Sequence, residues 1–585
     1  MRFPLKELLI ILYLAAGYAA IGERIASLGV SAGLVLYAGL FGLMTLSLLL
    51  AAYVQGTPLR LAYALILAAS SLFLDSTERI MGEHLTYDAF INLLNSIGFA
   101  GDALDQHGGS ILWSVPPALL LFAGVALKPR WRPPLPRLAF AAAPVAAVTL
   151  LSVILFVRGG EGARGLPTAF APLSYSSLNI YENLTGEMGS RQAVSLEPSQ
   201  LEAPRDIILI IDESVGANYL DIGNPRGVRS GLAERRPGID IHNYGYAAAI
   251  TNCSVGTNVT LRYGGTRADY QRINATLPSI WEYAREAGFR TVYIDAQRTG
   301  GELQNLMDEE ERRSIDSFVQ FGDVAVVDRD MAAADALAAL TRNRHADFVI
   351  VNKVGAHFPI HDKYPDGFLR HRPTLPRGRH ENVADTGSRA GFGGTAEDWR
   401  RYRNAYRNTL LWNVGAFFDR LFGAADLSNA TLVYTSDHGQ DLHERGNAGL
   451  DTHCGARPVP EEGLVPLVVI EGAALETLDW QANFAANRNH VSHYQIFPTL
   501  LALMGYKPAD VAAIYGESLI PRSDDPFTFN ILFNARLGRE PVWQPIDLGR
   551  IALPPAGDSR SFARNASLNP SAAALAGDSH RARRR

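Results

Sequence analysis

The chain has 585 residues, a formal charge of −5, 47% hydrophobic and 19% charged residues, and two cysteines; its mean hydropathy is +0.01. At about 150 residues per domain this is three or four domain equivalents, which excludes a mini-protein, and two cysteines exclude a disulfide framework or a multi-thiolate metal cluster. No net basic field is present to attract nucleic acid, so any chemistry must rest on oxygen and imidazole groups.

The average hydropathy conceals two blocks. Apolar runs fall at residues 5–21, 30–54, 59–74, 111–127 and 138–157, and most reach the roughly 17–25 residues that cross a hydrocarbon core. They predict a transmembrane domain of five spans over residues 1–158. The first run reads as a retained span rather than a signal peptide, because no clear small-residue cleavage site follows it. Arg2 and Lys6 precede the first run, Arg60 enters the third, and Lys128, Arg130, Arg132 and Arg137 crowd the loop between the fourth and fifth. The positive-inside rule makes these positions cytoplasmic, so the segment 75–110 and everything after Arg158 lie outside. Within 75–110, the run from Tyr87 to Asn95 has apolar residues at helical spacing. That suits a helix lying on the membrane surface, or equally a loop helix covering the bundle.

Residues 159–204, rich in Gly, Ser, Pro and Glu, read as a linker with a short surface helix. From residue 205 to 553 the pattern changes to strands alternating with helices. Asp206-Ile-Ile-Leu-Ile-Ile-Asp212 is a run of branched aliphatics ending in acids, the signature of a parallel strand buried on both faces. Helical spacing at 277–287 precedes the strand 291–295, the helix 331–340 precedes the strand 348–352, and a long helix over 399–422 precedes the strand 430–436. This alternation predicts an α/β domain with a mostly parallel sheet between helices. Residues 371–397, rich in Arg, Gly and Pro, read as a loop; 554–585 reads as a disordered basic tail.

Three strand ends carry the reactive groups. Asp212 and Glu213 close the first strand, Asp437 and His438 close a later one in Ser-Asp-His-Gly, and the hydroxyl-rich turn 251–260 lies between them in sequence. Open α/β sheets bind ligands at strand carboxyl ends, and carboxylates with an imidazole suit zinc or manganese.

In order, the chain shows Asp-Glu-Ser after the first strand, a hydroxyl turn about forty residues on, Gly-Ala-His-x-Pro, Ser-Asp-His-Gly, and a later His before a Val-Pro strand. This series resembles the alkaline-phosphatase and sulfatase superfamily. With the five-span block in front, nearly the whole chain is similar to the membrane phosphoethanolamine transferases. The resemblance implies an alkaline-phosphatase-like catalytic fold in which Glu213, Ser254, Asp437 and His438 hold a divalent metal, zinc by preference with manganese or calcium as alternatives. It implies that His357 and His453 contact phosphoryl oxygens or protonate the leaving group, with Lys353 and His361 on the substrate side and His443 a lesser candidate. The usual Ser-Cys-Gly-Thr nucleophile motif is altered here to Asn252-Cys-Ser-Val255. Read from Ser254, the run to Gly264 has the spacing of the sulfatase signature, in which the nucleophile opens a helix; Thr257 is the alternative.

The implied protein is a multi-pass bacterial inner-membrane enzyme with a periplasmic catalytic domain. It would take a phospholipid such as phosphatidylethanolamine as donor and a glycan or lipid as acceptor, without nucleic acid. A tethered sulfatase or phosphodiesterase, a glycerol-phosphate transferase, or a non-catalytic membrane partner with the same fold are the rival readings. Cys253 and Cys454 flank two of the implied site residues. They would pair if the fold brings their loops together in an oxidising compartment, and otherwise serve as two unpaired small hydrophobes.

Overall fold

The structure is a computed structural model that describes residues 5–554 except 83, 96–99, 132, 186–188, 200–204, 344, 359, 378–393, 448, 456, 476 and 536. The expected tail beyond residue 554, and most of the Arg-, Gly- and Pro-rich stretch, lie outside the described residues.

The N-terminal block comprises α1 (Leu5–Ala16), α2 (Tyr18–Leu28), α3 (Ala32–Ala52), α4 (Thr57–Met81), α5 (Tyr87–Asn95), α6 (Ala100–Ala126), α7 (Arg137–Val157) and α8 (Ala171–Thr185). Among the described residues α3, α4 and α7 are each long and apolar enough to cross a membrane. The first apolar run divides at Gly17 into α1 and α2, bent by 57°, and adds a fourth candidate only if the pair crosses together. The apolar part of α6, Ile111–Ala126, is shorter. By length and composition, therefore, three or four of the five expected spans are accounted for.

The outer faces of these helices are apolar: Val35, Leu65 and Leu138 are 74%, 64% and 75% exposed, a surface suited to lipid and poorly suited to water. Met44, Leu48, Leu67, Leu121, Leu151 and Leu155 fill the bundle interior. Basic side chains close one end of it. Arg60 donates from Nε to the Ala126 carbonyl and from Nη1 to the Val54 carbonyl, both at 3.0 Å, and Lys6 donates to the Val125 carbonyl at 3.1 Å. These are helix-end carbonyls with no partner in their own helix. The other end of α4 meets the catalytic domain, where Leu450 N–H donates to the Ile80 carbonyl at 3.0 Å.

Helix α5 lies between the two blocks. Its Tyr87 and Phe90 rings pack against Tyr175 of α8 at 5.7 and 5.5 Å, while Asn534 of the catalytic domain donates to Asn92 and Arg539 pairs with Asp88, both at 2.5 Å. The linker helix α8 buries Tyr175 and Leu178 instead of lying bare on the surface.

The catalytic domain is built on an eight-stranded sheet. Its strands are β1 (Asp206–Asp212), β2 (Ile239–Ala248), β3 (Arg290–Asp295), β4 (Ser317–Gln320), β5 (Asp347–Asn352), β6 (Ala430–Ser436), β7 (Leu464–Gly472) and β8 (Val491–Ser492), in the order β4-β3-β5-β1-β6-β7-β2-β8. The run β4 to β6 is parallel, and β7 is antiparallel to both neighbours. Every residue of β1 is buried because side chains alternate between two faces that are both covered: Ile208 and Ile210 join one core, Ile207, Leu209 and Ile211 the other. Register aligns Asp212 with Ser436 and Ile211 with Asn352, so the residues after β1, β5 and β6 emerge together at one edge. The long helix expected over 399–422 is interrupted by a π-helical turn, Leu411–Ala416, between Ala396–Leu410 and Phe417–Ala424.

Candidate active site

The carboxyl ends of β1 and β6 form the floor of the site. Asp437 Oδ1 accepts the backbone N–H of Ser214 at 2.9 Å and of His438 at 2.7 Å, which ties the two strand ends together. Asp437 Oδ2 is buried and accepts nothing among the described residues. Glu213 Oε1 accepts the hydroxyls of Ser214 at 2.9 Å and Ser254 at 3.2 Å. His438 Nδ1 lies 2.7 Å from the Gly439 carbonyl; donation there leaves the Nε2 lone pair facing Ser254 Oγ at 3.1 Å and Glu213 and Asp437 at 3.6 Å each. The ligand atoms of Glu213, Asp437 and His438 all lie within 4.8 Å of one another.

Backbone packing explains two glycines here. Gly439 of Ser-Asp-His-Gly would drive a Cβ to 2.0 Å from the Glu461 carbonyl. Gly355, at φ +54°, lets the loop after β5 wrap Glu213, with a Cβ position only 2.6 Å from Glu213 N; Ala356 N–H then donates to the Glu213 carbonyl at 2.8 Å.

Ser254 is the first residue of α9 (Ser254–Tyr263), whose N-cap, Cys253, makes no side-chain cap. The helix start thus presents its backbone N–H groups and positive dipole end beside the Ser254 hydroxyl, a setting suited to an anionic oxygen. Thr257 is fully buried and its hydroxyl is aimed at the Thr251 carbonyl, 3.4 Å away. Of the two hydroxyls weighed as nucleophile, only that of Ser254 reaches the carboxylate and imidazole cluster.

Cys253 and Cys454 are joined in a disulfide across 201 residues. The bridge fastens the residue before Ser254 to the residue after His453, and Cys454 N–H also donates to the Asn252 carbonyl at 3.0 Å. The His453 ring stacks on His438 at 4.4 Å, and Phe358 lies 4.8 Å from the His357 ring and 6.1 Å from that of His453. Burial, then the charge of Lys363, lowers the His357 pKa to about 3; burial, then His438, holds His453 well below its ordinary value. Both rings are therefore neutral at physiological pH.

Three sequence expectations require correction. Lys353 does not face the site: its ammonium is fully buried, 2.8 Å from Asp212 Oδ2 and 4.1 Å above the Phe417 ring, and it also donates to the carbonyl of Asn413 in the π turn. It neutralises Asp212 behind β1 and offers nothing to a phosphate. His361 is fully buried with Nε2 3.5 Å from Asp362 Oδ2, instead of opening toward a substrate. His443 stacks on Trp399 at 3.8 Å, with its ring nitrogens facing the Asn447 and Asp451 carbonyls, a structural arrangement. Sequence reasoning also passed over Gln297, which donates to Glu213 Oε2 at 3.2 Å and to the Lys353 carbonyl at 2.8 Å. Its position just past the acid end of β3 was the available signal.

The donor set fits a divalent cation. Burial, then the Asp437 charge, pushes the Glu213 carboxyl up to about 8, and burial raises Asp437 to about 6, as two carboxylates crowded in low dielectric require. A cation among Glu213, Ser254, Asp437 and His438 would offset that cost and complete Asp437 Oδ2. The oxygen and nitrogen donors suit zinc or manganese, and both thiols are consumed in the disulfide.

A sulfatase family model matches residues 205–506, more than half of the chain, and the chain belongs to the sulfatase family. Among solved structures, the integral membrane lipooligosaccharide phosphoethanolamine transferase A (EptA) of Neisseria meningitidis is similar with a TM-score of 0.60 and 17% identity, over 88% of this chain and 98% of that one. The C-terminal periplasmic domain of EptC from Escherichia coli, in complex with zinc, gives a TM-score of 0.45 and 15% identity over 62% of this chain and 97% of its own. No curated protein matches the chain in sequence. At 17% identity the likeness to EptA is one of fold, a block of apolar helices joined to a catalytic domain.

Two outcomes test the site's electrostatics and bracing. A carboxyl whose folded pKa is raised holds its proton more tightly when folded, so Glu213 reduces stability as pH climbs from 4.5 to about 8. The buried histidines act in the opposite sense, but only below their ordinary value of 6.5. Metal-stripped protein therefore loses stability between pH 6.5 and 8, and Glu213→Gln lessens that loss by on the order of 2 kcal/mol at most. A thermal-unfolding series in pH checks this, and an unchanged slope in the variant removes Glu213 as its source. Replacing Cys253 and Cys454 together by alanine costs about 2–4 kcal/mol; denaturant unfolding under oxidising conditions reads it, and equal midpoints would refute the brace.

Proposed function

We propose that the protein transfers a phosphoethanolamine-type group from a membrane phospholipid to an envelope glycan or lipid, through a covalent intermediate on Ser254. In this reading the apolar runs form five membrane spans of a bacterial inner-membrane protein, with α1 and α2 crossing as one bent span, and the catalytic domain is periplasmic. Phosphatidylethanolamine is the donor. The observation that carries the reading is the Ser254 hydroxyl at the start of α9, 3.2 Å from Glu213 Oε1 and 3.1 Å from His438 Nε2, in a chain whose other block is a bundle of apolar helices. Membership of the sulfatase family and the EptA-like fold support it.

Zinc held by Glu213, Ser254, Asp437 and His438 would lower the pKa of the Ser254 hydroxyl and screen the phosphoryl charge. Ser254 Oγ attacks phosphorus as the bond from phosphorus to the diacylglycerol oxygen breaks, and diacylglycerol returns to the bilayer with a proton. The N–H groups at the start of α9 face the phosphoryl oxygens. Neutral His453 donates a ring N–H to those oxygens, and its low pKa favours this over proton delivery, whereas the single N–H of neutral His357 is spent on the Phe358 carbonyl, which leaves its Nε2 as an acceptor. In the second half, an acceptor hydroxyl or phosphate attacks the same phosphorus and Ser254 leaves.

Phosphatidylethanolamine labelled in its head group, supplied with membranes carrying envelope glycans and glycolipids, tests the proposal. The wild-type protein should move label to the acceptor fraction, and mass spectrometry should find the head group on the Ser254 peptide. Ser254→Ala should lower transfer on the order of 10³-fold or more. Label released into free solution would instead identify a hydrolase, the reading that sulfatase family membership also supports; equal turnover by Ser254→Ala would exclude the covalent route.

A further inference from the structure

The membrane block holds a small, mostly apolar cavity whose wall carries one acidic and one basic side chain, and the transfer chemistry does not use it. It has a volume of about 50 Å³ and is lined by residues that include Tyr13, Gly17, Asp75, Arg79, Pro117 and Thr168. Asp75 lies six residues before the end of α4, about 9 Å along the helix axis, and that end faces the catalytic domain through Leu450. The cavity therefore sits near head-group depth on the catalytic side.

A hydrogen-bond network fixes one oxygen of Asp75. Its Oδ2 accepts the hydroxyls of Ser71 at 3.0 Å and Thr168 at 3.5 Å; the Thr168 hydroxyl lies 2.8 Å from that of Ser71 and 3.0 Å from that of Tyr13, which in turn accepts the Ala169 N–H at 3.2 Å. The other oxygen, Oδ1, accepts no hydrogen bond among the described residues. Arg79 follows one helical turn later on the same face and is exposed. Its guanidinium makes no ion pair or hydrogen bond among the described residues, with Asp75 or any other group, although both line the one cavity. A carboxylate at this depth is costly unless a partner completes it.

We propose that this cavity binds the zwitterionic head group of an ethanolamine phospholipid, with its ammonium on Asp75 Oδ1 and its phosphate on Arg79. The volume admits the ammonium end of a head group and no whole sugar or lipid, so the phosphate stays at the mouth, where Arg79 is exposed. A primary ammonium can donate to Oδ1. A trimethylated one cannot, and a glycerol head group brings no positive charge to Asp75. Helix α2 buries no side chain, and Gly17 adds no side chain to the wall, which leaves this flank of the cavity thin toward the bilayer. The inference deepens the donor assignment made above and rests on it for the lipid's role, but binding itself does not require Ser254.

The test uses full-length Ser254→Ala protein, which cannot turn lipid over, released from micelles containing equal phosphatidylethanolamine and phosphatidylglycerol and read by native mass spectrometry. Ethanolamine-lipid adducts should exceed glycerol-lipid adducts several-fold. Asp75→Asn in that background should bring the two to parity, and Arg79→Gln should lower both about tenfold. Should Asp75→Asn unfold, as thermal unfolding would reveal, the exposed Arg79→Gln decides alone. No preference in the parent, or a preference and adduct level unchanged by the variants, overturns the site. A lipid that binds with this preference yet is not consumed by protein with Ser254 intact would retire the transfer reading and leave the site standing.

Discussion

Burying Glu213 and Asp437 beside His438 is the constraint around which the catalytic domain is organised. Two carboxylates so placed repel each other and lose their hydration, and their raised pKa values record the cost. The surrounding backbone keeps them together: Asp437 takes two N–H groups, the loop after β5 closes over Glu213, and Gln297 secures its outer oxygen. What remains unsatisfied is Asp437 Oδ2, on the side where Ser254 and His438 converge. The neighbouring Asp212 also has one buried oxygen, Oδ1, that accepts nothing among the described residues, but Lys353 pairs with its Oδ2 from behind, so its charge is compensated within the chain while that of Glu213 and Asp437 is left to a cation.

The rest of the chain brings two surfaces to that centre. The disulfide between Cys253 and Cys454 connects the start of α9 to the loop bearing His453, so the hydroxyl and one neutral imidazole share a covalent brace. Helix α5, with Asp88 and Asn92 contacting Arg539 and Asn534, seats the domain against the helical bundle. A phosphoryl-transfer centre held in this way would work at the membrane face, and the proposed lipid cavity near the end of α4 lies within the same bundle.

The parts that sequence made legible have simple physical signatures. Strand β1 reads clearly because burial on both faces demands unbroken aliphatics, and the helix opening at Ser254 follows the spacing of a known signature. Strand β2 did not, because its outer half is only partly buried and polar, and a register shift falls between Asn243 and Gly245; β8, at two residues, is too short for any pattern. Lys353 was misread because composition gives a charge but not the side of a strand end from which it emerges. Gln297 carries no charge and so left no mark. In the membrane block, hydropathy continues through Gly17 and hid the bend between α1 and α2, while the apolar run at 111–127 matches the apolar part of α6, Ile111–Ala126, which is simply short for a span.

If the buried cluster of Glu213, Asp437 and His438 is a metal site, the full-length protein retains a divalent ion. After exhaustive dialysis, inductively coupled plasma mass spectrometry should find about one zinc or manganese ion per chain in the wild type, with Glu213→Gln and Asp437→Asn retaining little of it while still folded. A wild-type protein that keeps no divalent metal when supplied with it, or variants that keep as much as the wild type, would contradict the account.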